Sequence, residues 1–193
     1  MQKNKKYTEI IWYGRGGQGA ITASQLIAEA ADIEGYPGIT TAPSFGAERR
    51  GAPVAAFLRL SMEPIRIFSQ VTNPDYAVIL DPTLLPVLNL PAKLDPSTVV
   101  LVNSTNTPDD LGLSVFKKVG TADITRIALE RGLKTAGVPI LNTPILGSFV
   151  KLTSLLKLES VIESIKWKFG ETKGKKNIEA ASAAFNETRI YEQ

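Results

Sequence analysis

The 193-residue chain contains no cysteine and no histidine. The first absence excludes disulfides, thiol nucleophiles and cysteine-ligated iron–sulfur clusters. The second removes the commonest general base and the commonest metal ligand. A G-x-S-x-G elbow, a Walker A lysine loop and an H-E-x-x-H pair are also missing, so the familiar nucleophile, nucleotide-hydrolysis and zinc-hydrolase signatures are absent. The chain is poorly equipped to act as an enzyme alone. No apolar run approaches the roughly 18–20 residues of a membrane span. The start bears Lys3, Lys5 and Lys6 without an apolar signal core, and a cytoplasmic protein is expected. Neither sign of charge dominates: 22 basic and 19 acidic residues give a net +3. The only basic clusters are that start and Lys173, Lys175 and Lys176, which suit solvated ends better than nucleic acid. Trp12, Trp167 and the tyrosines form no stacking array, and packing is their default.

What is present is an ordinary globular composition, 44% hydrophobic and 21% charged, at a length suited to one domain over residues 1–193. Its most informative stretch is Gly14-Arg15-Gly16-Gly17-Gln18-Gly19, between the apolar run Glu9–Tyr13 and a helical pattern. A glycine-rich turn from strand to helix presents bare N–H groups at the helix N-terminus, where the aligned peptide dipoles favour an anion such as a phosphate. The glycines also satisfy G-x-G-x-x-G. A dinucleotide site, however, wants an acidic residue closing the second strand. That strand is placed at Gly38–Ala42 and carries none; Asp32 and Glu34 come too early. A phosphate contact, a partner interface and a tight turn needed only for packing all stay open for Gly14–Gly19.

The remaining pattern alternates strands and helices. A strand over 8–13 precedes a helix over 20–34 with a narrow face of Ala20, Ala23, Ile27, Ala30 and Ala31, stopped by Gly35. Val54–Leu60 and Ile65–Ser69 are read as an antiparallel hairpin across Ser61–Pro64. Tyr76–Leu80 and Val99–Val102 read as strands buried on both faces. A weaker strand is placed at Val115–Val119, a helix at Asp123–Arg131 and a last strand at Val138–Leu141. Thr143-Pro144 reads as the cap and first residue of a buried helix. A second helix follows to Gly170, and a third is capped by Asn177 and carries Ile178, Ala181, Phe185 and Thr188 inward. The expected fold is α/β: a Rossmann-like three-layer α/β/α sandwich with a mostly parallel sheet and an antiparallel hairpin.

Two further loops bear on chemistry. Glu48-Arg49-Arg50, flanked by Gly46 and Gly51, sets two guanidiniums beside a carboxylate, suited to phosphates, carboxylates or acidic partner groups. If Gly38–Ala42 lies beside the first strand, this loop emerges at the glycine turn, where open α/β sheets bind ligands. An interface, a small anionic ligand and a plain solvated turn all remain open. Asp81, before Pro82 and Thr83, holds a ligand or caps the following helix, the cap being favoured, and Asn142 and Thr143 read similarly as a capped helix entry.

Taken in order, these segments resemble the gamma subunit of the 2-oxoacid:ferredoxin oxidoreductases, a unit that also occurs as a domain in single-chain pyruvate oxidoreductases. The carrying residues are Gly14–Ala20, Phe45–Pro53, Asn73–Tyr76 leading to Asp81–Leu85, Asn142–Gly147 and Lys176–Ala180. The resemblance implies a complex that oxidatively decarboxylates a 2-oxoacid on thiamine diphosphate, sending electrons through iron–sulfur clusters to ferredoxin and the acyl group to coenzyme A. It implies that thiamine diphosphate, magnesium and the clusters belong to partner subunits. The chain has no Gly-Asp-Gly motif to anchor the first and no cysteine for the last. The implied role is a non-catalytic subunit, with Gly14–Gly19 and Glu48–Arg50 facing partners or coenzyme A. The Phe-Gly-Ala-Glu-Arg-Arg-Gly-Ala-Pro version of the second loop is similar to pyruvate and branched-chain members, so pyruvate is favoured, then 2-oxoisovalerate. The alternative is a free-standing Rossmann-type nucleotide-binding module or oxidoreductase.

Overall fold

The computed structural model describes residues 6–43, 51–67 and 69–192. In chain order the elements are β1 (Thr8–Arg15), α1 (Ala20–Ile33), β2 (Gly38–Pro43), β3 (Pro53–Ser61), β4 (Tyr76–Ile79), a 3₁₀ turn (Pro82–Leu84), α2 (Leu85–Leu88), α3 (Leu90–Lys93), β5 (Val99–Asn103) and β6 (Lys118–Ala122). Then come α4 (Ile124–Glu130), β7 (Lys134–Thr135), β8 (Val138–Pro139), α5 (Pro144–Thr153), α6 (Leu158–Glu187) and β9 (Arg189–Glu192).

Seven strands form one sheet in the order β2-β3-β1-β4-β5-β6-β9. The central four, β1, β4, β5 and β6, run parallel, while β2, β3 and β9 supply the antiparallel pairings. Alternation along β1 divides the core. Ile10 and Trp12 face α1, α5 and α6, and Ile11 and Tyr13 face the opposite side. The helical side is deep, with Trp12 packed on Phe149 at a centroid distance of 5.0 Å. The other side is thin: Leu90 and Leu94, with Leu113 and Phe116 from an irregular stretch, cover β4 and β5. The α/β sandwich expected from the sequence is therefore present, with unequal layers.

Several elements differ from the sequence reading. Val54–Leu60 is a strand, but its partners are β1 and β2, so the hairpin is β2–β3 and not Val54–Leu60 with Ile65–Ser69. The described part of Ile65–Ser69 forms no strand. Arg59 explains this: its Nη1 donates to Ser69 O at 2.7 Å and its Nη2 to Gln70 O at 3.3 Å, while its Nε binds Glu9. A buried guanidinium takes the carbonyls that a ladder would otherwise use. β6 starts three residues later than Val115, because Phe116 is an anchor beneath the sheet and Val115 faces solvent. Val138–Leu141 does not join the main sheet. Only Val138–Pro139 is strand, paired with Lys134–Thr135 across Ala136-Gly137, both at positive φ as a two-residue hairpin turn demands. Residues 189–192, unassigned from sequence, close the far edge as β9.

The helix expected over Asp123–Arg131 is present as α4, with Asp123 as its cap, accepting from Arg126 N at 2.9 Å. The break at Gly170 is also present, at φ 72° and ψ 167°. Helix resumes immediately after it, so Asn177 lies inside the helix and is not a cap. Its Oδ1 accepts from Thr143 at 2.8 Å and its Nδ2 donates to Lys173 O at 2.9 Å. Thr143 is correspondingly not a side-chain cap, although Pro144 occupies the first turn of α5.

α5 lies pressed against α6 at Gly147. A Cβ there would sit 1.8 Å from Ala181 O, so the two backbones approach as closely as they do only because no side chain intervenes. Gly147→Ala is expected to destabilise the fold by about 3 kcal/mol through overpacking, read as a lowered urea midpoint with an unchanged slope.

Candidate functional site

β1 and β4 are adjacent and parallel, yet the chain leaves them in opposite directions: α1 leads toward β2, while α2 and α3 lead toward β5. Such a divergence opens a crevice beyond the carboxyl ends of the two strands, where α/β folds bind ligands. The glycine turn follows β1 there, and Asp81 follows β4.

The turn is held by a compact polar network. Gln18 folds back so that its Oε1 accepts from Arg15 N at 2.7 Å, while its Nε2 donates to Asp81 Oδ2 at 2.9 Å. Arg15 Nε donates to the same carboxylate oxygen at 3.1 Å, its Nη2 to Thr83 Oγ1 at 2.8 Å and its Nη1 to Gly51 O at 3.1 Å. Asp81 Oδ1 accepts from Thr83 N at 2.9 Å, which makes it the expected cap as well. Burial raises the Asp81 pKa, but hydrogen bonds from Thr83 and Gln18, with Arg15 alongside, outweigh it and hold the carboxyl below the ordinary carboxylate range. Arg15 thus turns toward Asp81, Thr83 and Gly51.

What faces the crevice is backbone. The first bond of α1 runs from Ala23 N to Gly19 O at 2.9 Å, so the N–H groups of Ala20, Ile21 and Thr22 precede the helical ladder, and no side chain caps them. Gly19 is required twice: its φ is 90°, and a Cβ would stand 2.7 Å from the Cβ of Asn142. Asn142 is only 9% exposed, and its Oδ1 has no hydrogen-bond partner among the described residues. These groups line a cleft of about 840 Å³ whose other walls are the apolar side chains of Ile21, Val54, Val138 and Ile140. A positive helix end beside an apolar wall suits a phosphate attached to a less polar body.

Gly14, Arg15, Gly16, Gly17, Gln18 and Gly19 are thus gathered at one place, and all but Gly14 line the cleft. Glu48, Arg49 and Arg50 lie outside the described residues. The condition attached to their loop is not met, since β3 separates β2 from β1. The residues that follow it nonetheless reach the turn: Gly16 N donates to Ala52 O at 2.8 Å and Gly51 N to Gly16 O at 3.3 Å. Sequence reasoning missed the Gln18–Asp81 link and the orphaned Asn142, both joined to the turn only by the fold. Among the described residues no group of three His, Cys, Asp or Glu side chains could hold a metal ion, and no helix is long and apolar enough to cross a membrane.

Asp81→Asn is expected to lower stability at pH 7 by about 1–2 kcal/mol, the scale of hydrogen bonds to a charged acceptor. Because its carboxyl is depressed in the folded state, its contribution is full above the ordinary carboxylate value of about 3.9 and is lost as pH falls through the folded value. The gap between variant and parent in urea unfolding should therefore close in acid.

Comparison with known proteins agrees with this architecture. The family model for pyruvate ferredoxin/flavodoxin oxidoreductase matches residues 9–187. The pyruvate/ketoisovalerate oxidoreductases common subunit gamma of Thermococcus litoralis is 46% identical over 187 residues, covering 95% of this chain and 98% of that one. Pyruvate synthase subunit PorC of Methanothermobacter marburgensis is 44% identical over 181 residues, covering 94% and 97%. The crystal structure of pyruvate oxidoreductase subunit PORC from Thermotoga maritima superposes with a TM-score of 0.81 at 35% identity, covering 97% of this chain and all of that one. The chain therefore belongs to the pyruvate ferredoxin/flavodoxin oxidoreductase family.

Proposed function

We propose that this chain is the gamma subunit of a multi-subunit enzyme that oxidatively decarboxylates a 2-oxoacid to its acyl-CoA with ferredoxin as electron acceptor, and that residues 1–193 act as one gamma domain in the cytoplasm. The observation that carries this reading is similarity to gamma and PorC subunits along nearly the whole length of both chains. Pyruvate is the favoured substrate, then 2-oxoisovalerate, in keeping with the names of those relatives.

The chemistry divides between chains. Iron–sulfur clusters need thiolates, and this chain has none. Thiamine diphosphate, whose ylid stabilises the carbanion chemistry of decarboxylation, needs an anchoring metal motif that is also missing here. Both, with magnesium, are assigned to partner subunits, as is the route to ferredoxin. The part left to this chain is positioning. The N–H groups at the start of α1 offer hydrogen bonds to phosphate oxygens of coenzyme A, or to a partner's acidic group, the unpartnered Asn142 Oδ1 offers an acceptor to a hydroxyl or amide N–H of the same ligand, and the apolar wall shields them from water. Asp81 keeps Gln18 and Arg15 in place so that the loop meets its ligand already shaped.

The alternative, a free-standing Rossmann-type nucleotide module, fits less well. A dinucleotide site sets the second strand beside the first, with an acidic residue at its tip. Here β3 intervenes, and β2 carries no acidic residue.

The purified chain is expected to show no turnover by itself and to support 2-oxoacid oxidation when combined with its partner subunits; turnover by the lone chain rejects the reading. Arg49→Ala with Arg50→Ala is expected to weaken assembly or raise the KM for coenzyme A about tenfold, the loss of roughly one charge-assisted hydrogen bond. Assembly and coenzyme A kinetics equal to those of the parent would remove the second loop from the site.

A further inference from the structure

On the side of the molecule formed by α1, α6 and β2 there is a second groove, of about 670 Å³, lined by Ala28, Glu29, Asp32, Ile33, Ile39 and, from α6, Glu163 and Trp167. Trp167 is 78% exposed and Ile33 52% exposed, an apolar pair too large to be left in water without a reason. Trp167 stands in the last turn before the break at Gly170, so the chain turns away beyond it. β2 beside it is an edge strand, paired among the described residues only with β3.

The charges lining the groove are of one sign. Lys166 reaches Glu163 at 2.8 Å and Lys168 reaches Glu29 at 3.9 Å, but neither lysine lines the groove. Asp32 has no cation within ion-pair distance among the described residues. The Glu29 Oε2 is buried with no hydrogen-bond partner among them, and burial pushes the Glu29 carboxyl up. An indole face with the Asp32 carboxylate alongside is the complement of an arginine set beside an apolar side chain: the guanidinium stacks on the ring and donates to the acid.

We propose that this groove is an assembly surface that receives, from a different subunit of the complex, a segment carrying an arginine next to an aliphatic or aromatic residue. A second copy of this chain is the poorer occupant. A two-fold contact centred on the groove would set Asp32, Glu29 and Glu163 against their own copies, and like charges so placed repel. The inference rests on the reading of the chain as one subunit of a larger enzyme and names a face at the C-terminal half of α1, away from the glycine turn at its start.

Hydroxyl-radical footprinting with mass-spectrometric readout tests it, on the chain alone and on the complex assembled with its partner subunits. Trp167 is expected to oxidise readily in the free chain and to be protected about tenfold in the complex, while buried Trp12 stays unreactive in both. Trp167→Ala and Asp32→Lys, made separately, are each expected to weaken assembly at least about tenfold, as loss of a central interface anchor does, with the urea midpoint of the free chain unchanged. Undiminished oxidation of Trp167 within the assembled complex overturns the inference while leaving the subunit reading intact. Failure of the parent chain to assemble removes both. Protection that already appears in the free chain as its concentration rises, together with a doubled mass, assigns the groove to a second copy and overturns the proposal.

Discussion

The structure depends on how closely α5 can approach its neighbours. Eight of its ten residues are buried, Phe149 packs between Trp12 and Tyr76, and the backbone of α6 passes where a Gly147 side chain would be. A helix enclosed in this way has no freedom to tilt or slide. Its start is held as firmly, since Thr143 is fully buried and bonds Asn177 of α6. Asn142, one residue earlier, therefore has a set position, and that position is hard against Gly19. The glycine turn is thus supported from the core by α5 and from the front by Asp81. A site built from loops gains its precision from those two rigid contacts.

The strand–glycine–helix unit was legible in the sequence because all its signals are local: an apolar run, three spaced glycines and a small-residue helical face. Asp81 was legible as a cap for the same reason, and Pro144 as a helix start. What escaped was long-range. Nothing near Ile65–Ser69 announces that Arg59 will take the carbonyls of Ser69 and Gln70, so an apolar run with a short connection reads as a strand. Asn177 has the side chain of a cap, and only the approach of Thr143 gives it a different partner. The four residues of β9 are exposed or half-buried and lack the apolar alternation that marks a strand before its neighbour is known. In the site, Gln18 was legible only as part of the glycine loop and Asn142 only as a helix entry, because the partner that gives each its place is more than 60 positions away for Gln18, and across the fold at Gly19 for Asn142.

The electrostatic arrangement also differs from what a list of residue types suggests. An arginine inside a phosphate-loop pattern invites assignment as the anion's counter-charge, but Arg15 is neutralised by Asp81 and directed at fixed acceptors. The attraction left for an anion comes from peptide dipoles. Dipoles in a rigid frame need no reorganisation when the ligand arrives. A chain without histidine or cysteine can in this way contribute to a reaction centre while holding none of the reacting groups.

The unequal thickness of the two layers has a mechanical consequence. The thin side consists of two single-turn helices and an irregular stretch, and segments with so little burial open most easily in hydrogen exchange. The 3₁₀ turn that begins this side carries Thr83, whose hydroxyl holds Arg15. Each transient opening there releases one end of the tether that stiffens the glycine turn, so the rigidity of the turn is governed by the weaker half of the sandwich, although the cleft itself is built mainly on the stronger one.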